Sequence, residues 1–182
     1  PTIISAQRLL SVLDVLPAKD IPALVDYLPR IIGDRNQTSV TRTNFTSILR
    51  KMKARGWGTE CNTICELTTN QFNIDSLFMV ANWYTESKDD VHLVDTAKLI
   101  LNAIPKNSDE EALASLKLLT TLLASVSTAQ PELSTIKGET AKRTAYYEDE
   151  IRRKQCLHMA DNLNETAFRL ERKAQPEMAS KL

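Results

Sequence analysis

The sequence predicts an all-α fold with a long C-terminal helix. Glycine is scarce, with 4 residues among 182, whereas a sheet protein needs many tight turns. The tract Asp109–Ser125 follows a helix-start signal at Asn107-Ser108 and carries leucines on nearly every side. A helix of this kind is expected at the centre of a domain, wrapped by other helices. Residues 139–174 contain neither glycine nor proline, which predicts one continuous helix.

Two shorter helices are predicted at the N-terminal end. Residues 3–16 form an amphipathic pattern that Pro17 ends. Asp20 is a candidate cap for the second helix. Because Pro29 interrupts that segment, residues 20–32 are expected to be a short, kinked or broken helix.

The polar stretch from Gly33 to Ser39, GDRNQTS, is the best candidate boundary in the chain. It divides the chain into an N-terminal helical extension, 1–36, and a helical interaction domain, 37–182.

Four further helices are predicted from apolar residues at three- to four-residue spacing. They cover 39–55 (Phe45, Ile48, Leu49, Met52), 60–69 (Cys61, Ile64, Cys65, Thr68), 71–86 (Ile74, Leu77, Phe78, Ala81, Tyr84) and 90–104 (Val91, Val94, Ala97, Leu101). Gly56 and Gly58 end the first, Thr59 caps the second and Pro105 ends the fourth. The short connections predict paired antiparallel helices in a stack of armadillo- or HEAT-like character, although no motif repeats at a fixed period.

The predicted C-terminal helix carries a heptad-like pattern of apolar residues. Its members follow each other at spacings of four and three: Cys156, Ala160, Leu163, Ala167, Leu170 and Ala174. Several of these residues are small, so a free coiled coil would be weak. The helix is therefore expected to lie across the domain or to be offered to a partner helix.

No pattern in the sequence predicts catalysis or a bound cofactor. Gly56-Trp57-Gly58 lacks the ending of a phosphate-binding loop. His92 and His158 each stand alone, and the acidic residues from Glu86 to Asp95 do not follow the spacing of a calcium loop. Lysine plus arginine equals aspartate plus glutamate, 23 each, and no apolar run is long enough to span a membrane. We therefore expect a protein that is not an enzyme, with no cofactor, metal or membrane partner.

The three cysteines are expected to be free thiols. Cys61 and Cys65 share one helix face, but a second pair of zinc ligands is missing, and Cys156 stands apart. Buried, reduced cysteines are the favoured interpretation, which is typical of a cytosolic or nuclear protein.

A basic run forms the clearest charge asymmetry in the chain. Positions 35 through 59 contain no aspartate or glutamate. The candidate binding residues for a polyanion are Arg42, Arg50, Lys51, Lys53 and Arg55. The ligand could be a nucleic acid or an acidic filament, and a plain solvated helix face is an equally good interpretation. Trp57 follows directly, either as an exposed interface residue or as a buried wedge.

The order of these segments resembles the C-terminal helical domain of the katanin regulatory, non-ATPase subunit, over about Asn44 to Ala174. Four segments carry the resemblance: Phe45–Arg55 (FTSILRKMKAR), Val91–Pro105 (VHLVDTAKLILNAIP), Leu113–Leu123 (LASLKLLTTLL) and Glu150–Lys173 (EIRRKQCLHMADNLNETAFRLERK). The WD-repeat propeller usual in that family is absent from this chain, as in a short meiotic-type subunit.

The resemblance implies a regulatory subunit that binds the N-terminal domain of a microtubule-severing AAA ATPase and promotes microtubule binding and severing. It implies a cytoplasmic location on the spindle, with microtubules rather than nucleic acid against the basic helix. Contact residues for the ATPase would be Leu163, Phe168 and Leu170, together with Trp57. The alternative is an armadillo-like adaptor, unrelated to katanin, that binds nucleic acid or another protein through the basic helix. An enzyme with an unfamiliar site would need a pocket around His92 or His158.

Overall fold

The computed structural model describes residues 6–33, 39–70, 73–126 and 131–179, and these residues form an all-α fold without strands. A short 3₁₀ turn, Ala18–Asp20, lies between the first two helices. The eight α-helices of the described residues are α1 Ala6–Val12, α2 Ile21–Gly33, α3 Ser39–Ala54, α4 Gly58–Thr69, α5 Ile74–Ser87, α6 Asp90–Ala103, α7 Asp109–Ala124 and α8 Pro131–Ala179. The predicted all-α class and the long C-terminal helix are confirmed.

Helix α1 packs on α3, α3 on α5 and α5 on α7, while α2 packs on α4 and α6 on α8. Helices adjacent in sequence also contact each other from α2 onwards. Leu9 and Leu28 of the first two helices belong to the same hydrophobic cluster as Phe45 and Ile64.

The central helix is α5 rather than the leucine-rich α7. Helix α5 contacts α3, α4, α6 and α7 and buries side chains around most of its circumference. The prediction for α7 was wrong because its buried residues, such as Leu116, Leu119 and Leu123, fall on one stripe at three- to four-residue spacing. Leu118 lies outside this stripe and is 60% exposed.

The N-terminal helices follow the prediction in part. Helix α1 ends at Val12 rather than at Pro17, and residues 3–5 lie outside the described part of the chain. Asp20 is the last residue of the 3₁₀ turn and directly precedes Ile21, the first residue of α2. Helix α2 runs through Pro29 to Gly33 and is not broken there, and Leu24 and Leu28, both before the proline, are buried in the core.

Polar caps fix the starts of the next helices. The side chain of Asn73 accepts a hydrogen bond at the start of α5, that of Asp89 at α6 and that of Ser108 at α7. Thr59 does not cap α4, contrary to the prediction, because the helix already begins at Gly58. Val91 was also assigned wrongly to the core: it is 63% exposed, whereas its neighbour Leu93 is buried.

Helix α8 is 49 residues long and spans about 74 Å. Pro131 occupies its first position, where a proline is tolerated, so the helix starts earlier than predicted and runs through Gly138. Its first part packs on α7 and α6 through Leu133, Ile136 and Thr140. Every described side chain from 152 to 173 is exposed. The described helices include none that is long and apolar enough to cross a membrane.

Candidate partner-binding surface

The projecting segment, residues 152–173 of α8, exposes large apolar side chains to water. Its most exposed members are Leu157, Met159, Leu163, Phe168 and Leu170, each between 55% and 69% exposed. The three residues predicted on this helix to contact a partner, Leu163, Phe168 and Leu170, are therefore all accessible.

The apolar residues of the projecting segment divide between two directions around the helix. At about 100° per residue, Ala160, Leu163, Ala167 and Leu170 fall within one narrow stripe. Phe168 lies about 140° away from Leu163, and the guanidinium of Arg172 lies 5.4 Å from the centre of its ring. Leu163 and Leu170 thus present one face to a partner, and Phe168 presents another.

The base of α8 is held firmly against the body. Arg143 Nη1 donates a hydrogen bond to the carbonyl of Leu101 at 2.9 Å, and Lys137 Nζ donates to the carbonyl of Val126 at 3.1 Å. Farther along, Lys154 Nζ donates to Asp109 Oδ2 at 2.5 Å. The projecting segment is therefore mounted on a fixed support.

The side chains predicted to bind a polyanion differ in their contacts with the rest of the protein. Arg50 Nε donates to Glu86 Oε1 at 2.6 Å, and this pair raises the pKa of Arg50. Lys53 is exposed, with Nζ 5.7 Å from the ring centre of Trp83. The side chain of Arg42 lies outside the described part of the structure.

Lys51 and Arg55 connect α3 to the end of α1. Lys51 Nζ donates to the carbonyl of Leu10 at 3.1 Å and to Asp14 Oδ2 at 2.7 Å. Arg55 Nη1 donates to the carbonyls of Leu13 and Leu16. The carbonyl of Leu10 lies in the last turn of α1, and those of Leu13 and Leu16 follow it. The carbonyls at the end of a helix lack internal donors, and this end favours cations. Two of the basic residues therefore have a structural role that the sequence analysis missed, because their acceptors are about forty positions away.

Trp57 is half-buried between α4 and α2. It packs against the hydrophobic cluster and borders a cavity of about 480 Å³ together with Ile21 and Val25. The guanidinium of Arg55 lies 4.3 Å from its ring centre, within the range of a cation–π interaction. The side chain of Trp57 is therefore packed against the core on one side and accessible to solvent on the other.

His92 borders a second cavity, of about 350 Å³, together with Tyr84 and Asp95. Its Nδ1 lies 2.8 Å from Asp89 Oδ2, and its ring stacks on Tyr84 at a centroid distance of 5.2 Å. The imidazole is therefore held at the start of α6 by its cap residue. His158 is exposed on the projecting segment.

Two of the three thiols are buried, as predicted, whereas Cys156 is exposed. The prediction for Cys156 was wrong because α8 leaves the body before that position. Burial raises the pKa of Cys61 to about 11 and that of Cys65 to about 12. A thiol with so high a pKa is a poor nucleophile at neutral pH. In the part of the chain that the structure describes, no three His, Cys, Asp or Glu side chains cluster so as to hold a metal.

Comparison of the chain with protein-family models, with curated proteins and with solved structures gives no match in any of the three.

Proposed function

We propose that this chain is a non-catalytic regulatory subunit that binds the N-terminal domain of a microtubule-severing AAA ATPase and promotes microtubule binding and severing, in the cytoplasm and on the spindle. One observation carries the proposal: the projecting segment exposes Leu163, Phe168 and Leu170 on a firmly mounted helix. Burying such side chains against a partner is favourable by about 1.5–3 kcal/mol each. The resemblance of Glu150–Lys173 to the final helix of the katanin regulatory domain supplies the identity of the partner.

The support for the projecting segment is, in this proposal, a stack of armadillo- or HEAT-like character. Two features of the packing support that description. Helices α1, α3, α5 and α7 contact one another in succession, and α2 packs on α4. Stacks of helix pairs present extended surfaces to partners. Trp57, on the turn between α3 and α4, is the proposed contact outside α8.

The basic helix α3 is proposed to face the microtubule. Among the described residues, Arg50 and Lys53 are the candidates for this contact, since Lys51 and Arg55 are engaged with α1. The Arg50–Glu86 pair lies on the surface, where ion pairs contribute little to stability, so Arg50 can exchange Glu86 for an acidic group of a ligand.

Co-expression with the N-terminal domain of a severing ATPase tests the partner. We expect a one-to-one complex in size-exclusion chromatography with light scattering. The double variant Leu163→Glu, Leu170→Glu should elute apart from the ATPase domain. His158→Glu places one negative charge on the other side of the projecting segment and should leave the complex intact. Separate elution of the wild-type chains would overturn the proposal.

Co-sedimentation tests the ligand of α3. The double variant Arg50→Glu, Lys53→Glu should lose most of its microtubule binding, and binding by the wild type should weaken with added salt. Lys106→Glu, in the loop between α6 and α7, is a control for a charge reversal away from α3. Tight binding of DNA or RNA without binding of microtubules would instead support the adaptor unrelated to katanin.

A further inference from the structure

We propose that two copies of this chain pair through their projecting segments, antiparallel to each other, along the face that carries Leu163 and Leu170. This inference goes beyond the proposed function and does not depend on it, and the second copy would compete with the ATPase domain for Leu163 and Leu170. The segment makes no contact with the described body beyond Lys154, and a helix of this length without tertiary contacts is only marginally stable in water. A second copy covers the exposed stripe.

The orientation follows from the order of large and small residues. Ala160 and Ala167 occupy one position of the heptad, whereas Leu163 and Leu170 occupy the other. In an antiparallel pair these two positions face each other, so that Leu163 packs against Ala167 of the second copy and Leu170 against Ala160. Each layer then combines a large and a small side chain, as close packing requires.

A parallel pair in register packs less well. It would place leucine against leucine in one layer and alanine against alanine in the next. If the helices are far enough apart for the leucine layers, the alanine layers leave gaps.

The charges of two antiparallel copies do not oppose each other. Asn164 and Thr166 lie at the twofold axis, each facing its own equivalent. Leu157 faces Glu171 of the second copy and Met159 faces Lys173, so the aliphatic stems of the charged residues cover these two side chains. The remaining charged residues between 160 and 172 point outward: Asp161, Glu165, Arg169 and Arg172.

The length of the projecting segment suits this pairing. The twofold axis falls near Glu165, about 16 Å beyond Lys154, so the two bodies stay at opposite ends of the helix pair. The copies together bury on the order of 1,000 Å², which is the lower limit for a specific interface. The dimer is therefore expected to be weak and to depend on protein concentration.

Sedimentation equilibrium of the full chain alone tests the pairing. The wild type should shift from monomer to dimer as its concentration rises to about 100 μM. Leu163→Glu should weaken the association at least about tenfold, since it places a charge in the packed stripe. Phe168→Ser, off the stripe, should dimerise like the wild type, even though Phe168 is a proposed contact for the ATPase. A wild type that stays monomeric throughout would overturn the proposal.

Oxidative cross-linking tests the orientation. In the antiparallel pair the two Cys156 residues lie about 27 Å apart along the axis, too far for a disulfide. In a parallel pair they face each other. Thr166→Cys in a Cys156→Ser background should cross-link at the twofold axis, while the wild type should not. The reverse result, cross-linking through Cys156 alone, would overturn the antiparallel arrangement.

Discussion

Lys154 Nζ lies 2.5 Å from Asp109 Oδ2, and this ion pair marks the place where α8 leaves the body. Asp109 is the first residue of α7, where a carboxylate is also favoured by the helix dipole. Its hydrogen bond raises the pKa of Lys154. Beyond this pair the described side chains of α8 face water, up to residue 173.

Asp109→Asn should loosen the attachment of α8 without unfolding the domain. The variant keeps the shape of the side chain but removes its charge, so the amides around residues 148–154 should exchange hydrogen several-fold faster. Hydrogen-exchange mass spectrometry measures this. Glu111→Gln is the matched control, because it removes a carboxylate charge from the same first turn of α7. Equal exchange in the two variants would show that Asp109 does not hold α8.

Alanine substitution of two leucines on different sides of α7 should lower the free energy of unfolding by very different amounts. Leu116 is fully buried and Leu118 is 60% exposed. Leu116→Ala should lower the free energy of unfolding by about 2–5 kcal/mol, because it leaves a cavity. Leu118→Ala should change it by less than about 0.5 kcal/mol. Urea denaturation followed by circular dichroism compares them. A large loss of unfolding free energy for Leu118→Ala would contradict this prediction and support an α7 that is buried on all sides.

The sequence predicts the helices well where one local signal decides them. Phe45 and Ile64 lie on the predicted core faces, and Ser108 marks the start of a helix. The sequence does not predict features that depend on contacts between distant segments. The density of leucines in α7, for example, does not reveal that one face of this helix is exposed to water. The partner of Lys51 lies on a helix whose packing no local pattern encodes. At the candidate site, the heptad pattern predicts an apolar stripe but leaves open whether the body covers it.

The turn after α3 should be sensitive to a methyl group at Gly56 but not at Gly58. Gly56 has a φ of 86°, and its N–H donates to the carbonyl of Lys53 at 3.0 Å, while that of Trp57 donates to Met52 at 3.1 Å. This pair of bonds is a Schellman motif, which requires the left-handed conformation. Gly56→Ala should therefore lower the free energy of unfolding by about 1–2 kcal/mol.

Gly58→Ala is the control for that prediction. Gly58 is the first residue of α4, and nothing lies within 4 Å of an added methyl group. Because alanine restricts the unfolded chain more than glycine does, this variant should be more stable by about 0.5 kcal/mol. If both variants lose the same stability, the conformation of Gly56 is not the cause.

The buried thiols predict that the domain loses stability in alkali. Burial raises the pKa of Cys65 from an ordinary value of 9.0 to about 12. Above about pH 9 the unfolded chain releases this proton while the folded chain retains it. The protonated Cys65 thiol thus contributes fully to stability below the pKa of the unfolded chain. This contribution is lost as the pH rises towards the pKa of the folded chain. One such group lowers the free energy of unfolding by up to about 1.4 kcal/mol per pH unit.

Urea denaturation in reducing buffer, at intervals from about pH 8 to about pH 10, measures this slope. Cys65→Ala should be less stable than the wild type at neutral pH, because it leaves a small cavity, yet its stability should fall less steeply with pH. Cys156→Ala removes an exposed thiol and should reproduce the wild-type slope. If Cys65→Ala and Cys156→Ala have the same slope, the proton held by Cys65 in the folded state does not cause the loss.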